Sequence, residues 1–500
     1  LNDGPVQLTP RDVVDATADR SPDGIAQVAL IEPALDATAV RRRLAGREKL
    51  CSLDSASPDA ERGRYSFLCC DPFEWFESPI DDPTGFDRLA EAWRKYAAVP
   101  HANDLPPFQG GAAGALSYDL AHRFERLPRP RFDDFALPVV AMGLYDVVIA
   151  FDRLANRTWI VSQGFPETEP SRRRDRAKAR MDETIRLLFD ESDLPAKRLD
   201  RTPRVGLSSP SFAIDPRMPE LRSDFDEAGY IAAVERAREY VFAGDIFQVN
   251  LSQRLTHSFD GDPLGLYETL CEANPAPFAA YLDAGEFQIL SASPERFLQV
   301  QNGWVETRPI KGTRRRLHRE PADLYLRDDL VTSAKDRAEN VMIVDLMRND
   351  LSRVCLPQSV RVTALCKLET YQYVQHLVSA VEGRLSPGND PWTLLAASFP
   401  GGSITGAPKV RAMEIVAELE PTARGFYCGS AGYVGFDGWS DLSILIRTLT
   451  AAGGQLQLPA GGGITAGSDP HREYEETWHK ARGLLQAIRV HAAGLNQGSL

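Results

Sequence analysis

The chain reads as an α+β fold, and three features of the sequence predict it. Short apolar runs separated by turn residues recur through the first 190 residues, the spacing of strands in a sheet with helices packed on it. The dipeptides Asn302-Gly303 and Asp437-Gly438 each join two apolar runs and mark β-hairpins. Longer segments near residues 172–189, 230–241, 335–348 and 469–490 read as helices.

In chain order, the strand candidates of the amino half are 26–31, 64–68, 136–151 and 159–161, with a charged helix over 172–189. Gly110-Gly111-Ala112-Ala113-Gly114 has no strand-to-helix setting for a dinucleotide, so close backbone packing is its expected role. Residues 191–222, rich in Pro, Ser, Asp and Arg, have linker or loop composition and divide a 1–190 region from a 223–490 region. Next comes a helix with Tyr230, Val234, Ala237 and Val241 on one stripe, entered through Ser223, Asp224 and Asp226 and stopped by Gly244. The strand expected at 246–255 puts Gln248, Asn250 and Ser252 on one face.

Residues 291–316 are the chemical centre. Folding back at Asn302-Gly303 brings Glu295 near Lys311. A carboxyl group and an amine in a partly dry site are suited to act as proton donor and nucleophile, since desolvation raises one pKa and lowers the other. A solvated Glu and Lys flanking a surface hairpin is the plainer alternative.

Glu339 lies in line with Met342, Ile343 and Leu346, so a carboxylate is set in an apolar helix face. Burying it alone would cost several kcal/mol, and either a metal or an Arg could meet it. On the last helix Trp478, Ala481, Leu485 and Ile488 form the packing stripe, while Glu473, Glu476 and Lys480 share another face. Such a face is usually solvated; if its end meets Glu339, the carboxylates make a hard-oxygen site of the Mg²⁺ type.

Gly401 to Lys409 opens a helix with Pro408 in its first turn, where free amides and a hydroxyl could hold an anion, although the pattern is not a Walker A loop. The hairpin expected from 426–436 and 439–449 places Arg447 inside an apolar strand, which calls for a carboxylate partner from protein or ligand. Gly461, Gly462 and Gly463 offer bare backbone, and His376, alone among valines, has the setting of a structural histidine.

The 500 residues, 43% hydrophobic and 25% charged, describe a globular protein, and a net charge of −13 argues against a general nucleic-acid binder. Seven cysteines without a C-x-x-C pattern fit reduced thiols. The first residues lack a secretory pattern and no run of 18 apolar residues occurs, so a cytoplasmic protein without membrane attachment is expected.

These residues resemble the chorismate-utilising enzymes that include component I of anthranilate synthase and of aminodeoxychorismate synthase. The matching pieces are S-A-S-P-E-R-F (291–297), R-P-I-K-G-T (308–313), A-E-N-V-M-I-V-D-L-M-R-N-D-L (338–351), G-S-I-T-G-A-P-K (402–409), the hairpin through Arg447, and E-Y-E-E-T with Lys480. L-D-S (53–55) and G-R-Y-S-F (63–67) match more loosely. The resemblance implies a large two-sheet β sandwich with flanking helices and Mg²⁺ held by Glu339 and Glu476 with Glu473 nearby. It also implies chorismate set against Gly312, Thr313, Thr405, Tyr427, Arg447, the Gly461–Gly463 glycines and Lys480. Glu295 would protonate the departing ring hydroxyl, and His376 matches the family's active-site histidine.

Two positions discriminate within the family. Members that add water resemble one another in a Lys where this chain has Gln248, which cannot act as a base. Anthranilate synthases resemble P-I-A-G-T where this chain has Lys311, so Lys311 implies formation of 4-amino-4-deoxychorismate, toward 4-aminobenzoate and folate. Anthranilate formation is the alternative. The sequence carries no amidotransferase elbow, so ammonia is expected from a separate glutamine amidotransferase subunit, and no lyase module is expected. Ser55 and the N-P-A-P-F stretch with Pro275, Ala276 and Pro277 resemble the family's tryptophan pocket. A non-catalytic tryptophan-binding regulator is thus the reading from another class.

Overall fold

The computed structural model describes residues 13–14, 24–55, 63–82, 84–97, 99–190, 205–215, 218–316, 320–370 and 374–497. Among these residues two antiparallel sheets, of 14 and 10 strands, pack face to face with helices on their outer sides. Alternation along the strands builds the layers. Val28 and Leu30 enter the core between the sheets, while Ala29 and Ile31 face the outer core under the helices. In the smaller sheet Ala113 and Ala115 point inward and Ala112 and Leu116 outward. Both faces of each sheet are therefore dry, which is why the strands read as continuous apolar runs.

The expected amino-half elements form with small boundary shifts, as Gln27–Ile31, Tyr65–Cys69, Arg157–Ser162 and the helix Pro170–Phe189. The 136–151 run is two strands, Val140–Tyr145 and Val147–Asp152, which lie in different sheets. Gly111 and Gly114 sit on the strand Gly111–Leu116, where a Cβ on Gly111 would lie 2.3 Å from the Val434 carbonyl oxygen; close packing is their role.

Of the expected linker, 191–204 and 216–217 lie outside the described residues. Its described part carries edge strands of the larger sheet, Phe212–Ala213 and Leu221–Ser223. Strands from either side of this stretch pair directly: Cys51–Asp54 with Phe278–Asp283, and Gly111–Leu116 with Ser430–Gly435. No helix among the described residues is long and apolar enough to cross a membrane.

The elements that carry the site are β1 (Gln248–Ser258), β2 (Phe287–Ser293), β3 (Arg296–Gln301), β4 (Trp304–Thr307), β5 (Ile310–Arg315) and α1 (Ala334–Ser352). They continue with β6 (Val374–Arg384), α2 (Lys409–Leu419), β7 (Ser440–Ile444), β8 (Thr448–Ala452), β9 (Gln455–Ile464) and α3 (Pro470–Gln497). Two of the connections cross between the sheets side by side. Strand β2 belongs to the larger sheet and β3 to the smaller, and β7 and β8 make the same change in reverse. Ser291 pairs with Thr448 before the crossing and Arg296 with Ser443 after it.

Arg447 lies at this crossing. It is not inside a strand as its apolar neighbours suggest: β7 ends at Ile444, β8 starts at Thr448, and Arg447 bridges them with φ +51°. The partner strand of β7 is likewise shorter than expected, Ser430–Gly435, leaving Tyr427 in the turn before it. The Asn302-Gly303 hairpin forms as expected, with both residues at positive φ and Gln301 opposite Trp304.

Candidate active site

Glu295 occupies the β2–β3 crossing. It is buried, and its backbone carbonyl accepts from the Ile444 N–H at 3.0 Å, so the parallel crossing holds it in place. Burial pushes its pKa up; the Ser403 hydroxyl, the Lys311 charge and the Ile310 N–H oppose the shift without cancelling it. A carboxyl group in this state retains its proton more readily than a surface glutamate, as a general acid must.

Lys311 follows on β5. Gly312, at φ +78°, shifts the register against β6 so that Lys311 faces Leu377 and Thr313 faces His376. The Lys311 amine donates to the Ser403 carbonyl at 3.2 Å. Burial lowers its pKa, while Glu339, Glu295 and Glu476 pull it back up and Lys480 adds to the lowering. The lowered pKa enlarges the fraction of free amine, the form that can attack carbon. Glu295 and Lys311 thus lie within electrostatic reach of each other, the proximity expected of the hairpin.

His376 is buried on β6, and the Thr313 side chain lies outside the described residues. Asn340 on α1 donates to the Leu377 carbonyl at 3.3 Å and accepts from the Ser379 hydroxyl, which pins α1 beside His376. The same helix brings Glu339 within electrostatic reach of Lys311, with Ile343 fully buried in its apolar stripe.

Helix α3 supplies the opposite wall. A Cβ on Gly462 would lie 3.2 Å from Glu473 Oε2, 3.5 Å from Glu476 Oε1 and 3.6 Å from Lys480 Nζ, so three charged groups converge on bare backbone. Lys480 donates to the Gly461 carbonyl at 2.8 Å and pairs with Glu476 at 2.7 Å. Among the described residues no group of three or more His, Cys, Asp or Glu side chains is close enough to share a metal. Glu339 and Glu476 instead both act on Lys311 from separate helices. That donor set, two hard carboxylates on rigid elements, fits Mg²⁺, which keeps several waters and takes further oxygens from substrate.

Gln248 is buried on β1, its amide nitrogen 2.1 Å from where a Cβ of Gly463 would stand, and its carbonyl oxygen accepts no hydrogen bond from the described residues. The Arg447 guanidinium makes no hydrogen bond or ion pair to a described residue, and burial pulls its pKa down. A half-buried cation left unpaired at the sheet crossing is matched to an anionic ligand, the ligand option among its two expected partners.

The Gly401–Lys409 segment differs from the anion loop expected of it. Pro408 precedes α2 as its N-cap, Lys409 is held by Asp350 at 2.6 Å and the Ser398 carbonyl at 2.7 Å, and the Thr405 hydroxyl donates to the Gly401 carbonyl at 3.1 Å. Lys409 and the Thr405 hydroxyl are thereby engaged within the protein. The segment's acceptors serve as well: the Ser403 carbonyl, within the matched G-S-I-T-G-A-P-K stretch, takes the Lys311 amine. Tyr427 is buried beside Cys428, whose thiol burial pushes up to about 12, so this cysteine is no nucleophile.

Ser55 is buried and its N–H donates to the Ser66 hydroxyl at 3.2 Å. Asp54 pairs with Ala279, which sets Ser55 alongside the end of the strand that Pro275, Ala276 and Pro277 lead into. The two predicted pieces of the tryptophan pocket are therefore neighbours. Arg41, Ser52 and Tyr267 all bind the Asp54 carboxylate, a buried cluster the sequence reading missed.

Residues 56–486 match the family described as chorismate binding enzyme. Anthranilate synthase component 1 of Thermus thermophilus is 42% identical over 402 residues, covering 80% of this chain and 82% of that protein. Aminodeoxychorismate synthase component 1 of Salmonella typhimurium is 43% identical over 382 residues, covering 76% and 77%. The crystal structure of anthranilate synthase component I from Streptococcus pneumoniae superposes with a TM-score of 0.70 at 30% identity, covering 84% of this chain and 92% of that one.

Proposed function

Since the chain belongs to the chorismate-binding enzyme family, we propose that it aminates chorismate to 4-amino-4-deoxychorismate, with ammonia from a glutamine amidotransferase subunit, toward 4-aminobenzoate and folate. The observation that carries this reading is the buried Lys311 amine, lowered in pKa and within electrostatic reach of Glu295, whose own pKa burial raises. The relatives divide between two activities at nearly equal identity, so identity does not choose between them.

Chorismate carries two carboxylates. The Arg447 guanidinium suits one of them, and Gly461–Gly463 and Lys480 form a wall against which the ring can lie. The neutral Lys311 amine forms a C–N bond to ring carbon 2. The double bonds shift, and the carbon 4 hydroxyl leaves as water with the Glu295 proton. Ammonia then bonds to carbon 4, the double bonds shift back and the lysine nitrogen leaves carbon 2. Protons released from the two nitrogens restore Lys311 and Glu295, and the net change is chorismate plus ammonia to product plus water. Glu339 and Glu476, with Glu473 beside them, would hold Mg²⁺, which when bound supplies Lewis-acid polarisation of the ring carboxylate. Gln248, an amide without base character, leaves water unactivated.

Both named relatives are first components, which favours a partner that supplies the nitrogen. Lys311→Arg tests the reading, because arginine keeps the charge but is too basic to attack. Loss of ammonia-dependent turnover, together with a chorismate-derived mass adduct on Lys311 in the native protein when ammonia is withheld, is expected. Near-native turnover by the variant and no adduct would return the chain to direct amination of the anthranilate type.

A further inference from the structure

Three successive carbonyls of the loop between Lys311 and Glu295 are held by three different elements. The Ser403 carbonyl accepts from Lys311 at 3.2 Å, the Ile404 carbonyl from Arg424 at 3.1 Å and the Thr405 carbonyl from the Asn250 N–H at 2.8 Å. Arg424 holds the middle one. It also donates to the Asn250 carbonyl at 2.6 Å, so one guanidinium grips the loop and the strand β1 against which the loop is laid.

Glu420 fixes that guanidinium with two bonds, at 2.7 and 2.8 Å, and its Oε1 also accepts from the Ser252 N–H and hydroxyl at 2.8 Å each. The Tyr118 ring lies under the guanidinium carbon at 4.6 Å. Arginine and glutamate side chains are 2% and 5% exposed. A pair so buried loses most of its hydration, and an apolar replacement of similar volume is often as stable, so stability is a weak reason to keep it. Setting a register is a stronger one: Lys and Met cannot reach two carbonyls on different segments in a fixed fork.

We infer that Arg424, locked by Glu420, is a positioning residue for the reaction: it holds the Ser403–Thr405 loop, whose Ser403 carbonyl takes the Lys311 amine beside Glu295, and so governs the rate of the chemical step more than the affinity for chorismate. The assay rests on the amination reading, but the geometry does not. Among the described residues the Lys311 amine donates to the Ser403 carbonyl, and the Ser403 hydroxyl bears on the Glu295 pKa. A shift of this loop misplaces both reacting groups at once, and misplacement by about 1 Å costs roughly a hundredfold in rate.

The test compares Arg424→Lys with Arg254→Lys, which breaks another buried pair on β1, Arg254 with Asp134 at 2.7 Å, without touching the loop. Per folded molecule, Arg424→Lys should lose about a hundredfold in kcat while its chorismate Kd by calorimetry stays within about threefold of native. Arg254→Lys should lose stability and keep kcat within about twofold. A kcat for Arg424→Lys within about threefold of native, or equal losses in the two variants, overturns the inference. If Arg424→Lys does not fold, Glu420→Gln, which keeps an acceptor for Arg424 and Ser252, is held to the same criteria. If the native protein makes no aminated product, the function reading fails, and the inference is then decided by reductive methylation of Lys311 followed by mass spectrometry. Arg424→Lys should change that labelling rate at least about threefold and Arg254→Lys should not; equal rates in all three proteins overturn it.

Discussion

Lys311 and Glu295 are coupled at one residue: the lysine amine donates to the Ser403 carbonyl at 3.2 Å, and the Ser403 hydroxyl lowers the glutamate pKa. The proposed reaction uses the two groups in opposite protonation states, and each pKa is shifted in the direction that reaction asks for. Burial raises the acid and lowers the amine. Ser403 limits the first shift, which makes it a handle on the pH dependence.

Ser403→Ala removes a donor that lowers the Glu295 pKa. In the proposed reaction Glu295 acts while protonated, so activity should be full below its pKa and lost as pH rises through it. The variant should therefore move the alkaline limb of kcat/KM upward and lower kcat by about tenfold. A limb that stays in place or moves down would separate Glu295 from the proton transfer.

Arg447→Leu removes a guanidinium with no described protein partner. Because the folded protein then no longer desolvates an unpaired charge, thermal stability should hold or rise. The chorismate Kd should weaken by about a hundredfold, the size of a lost charge-assisted contact. Loss of stability with native affinity would show that Arg447 serves the fold.

Gly462→Ala adds a methyl 3.2 Å from Glu473 and 3.5 Å from Glu476. The carboxylates must yield by tenths of an ångström, which disturbs their geometry while leaving the core untouched. The Mg²⁺ concentration for half-maximal turnover should rise at least about tenfold with a stability change under about 1 kcal/mol. An unchanged Mg²⁺ dependence would put the metal elsewhere.

Asp119 is a buried carboxyl that burial pushes up to about 7, and it accepts from the Gly425 N–H at 2.8 Å. Its folded pKa exceeds its unfolded one, so its contribution is fully present below about pH 4 and lost as pH rises toward 7. Native stability in urea should carry a falling component between pH 4 and 7 that Asp119→Asn lacks, on the order of 1–4 kcal/mol. Parallel curves for the two proteins would count against a raised Asp119.

What the sequence made legible was local. The turn at Asn302-Gly303 needs two residues at positive φ, and that dipeptide accepts them, so the hairpin carrying Glu295 toward Lys311 was readable. The helix faces of Glu339 and Glu476 followed from spacing alone. Arg447 was misread because the run I-L-I-R-T-L-T stays apolar while the chain changes sheets between Ile444 and Thr448, and periodicity does not register a crossing dry on both sides. The Arg424 anchor left no local trace either, since its partner carbonyl on Asn250 lies 174 residues away. The Thr405 hydroxyl, which donates to the Gly401 carbonyl, makes another contact that spacing does not reveal.

The most direct measurement is the identity of the product formed by the native chain from chorismate, ammonium and Mg²⁺, read by chromatography with mass spectrometry. Lys311 beside Glu295 predicts 4-amino-4-deoxychorismate, with the enolpyruvyl side chain retained. Anthranilate, with that side chain released as pyruvate, would contradict it.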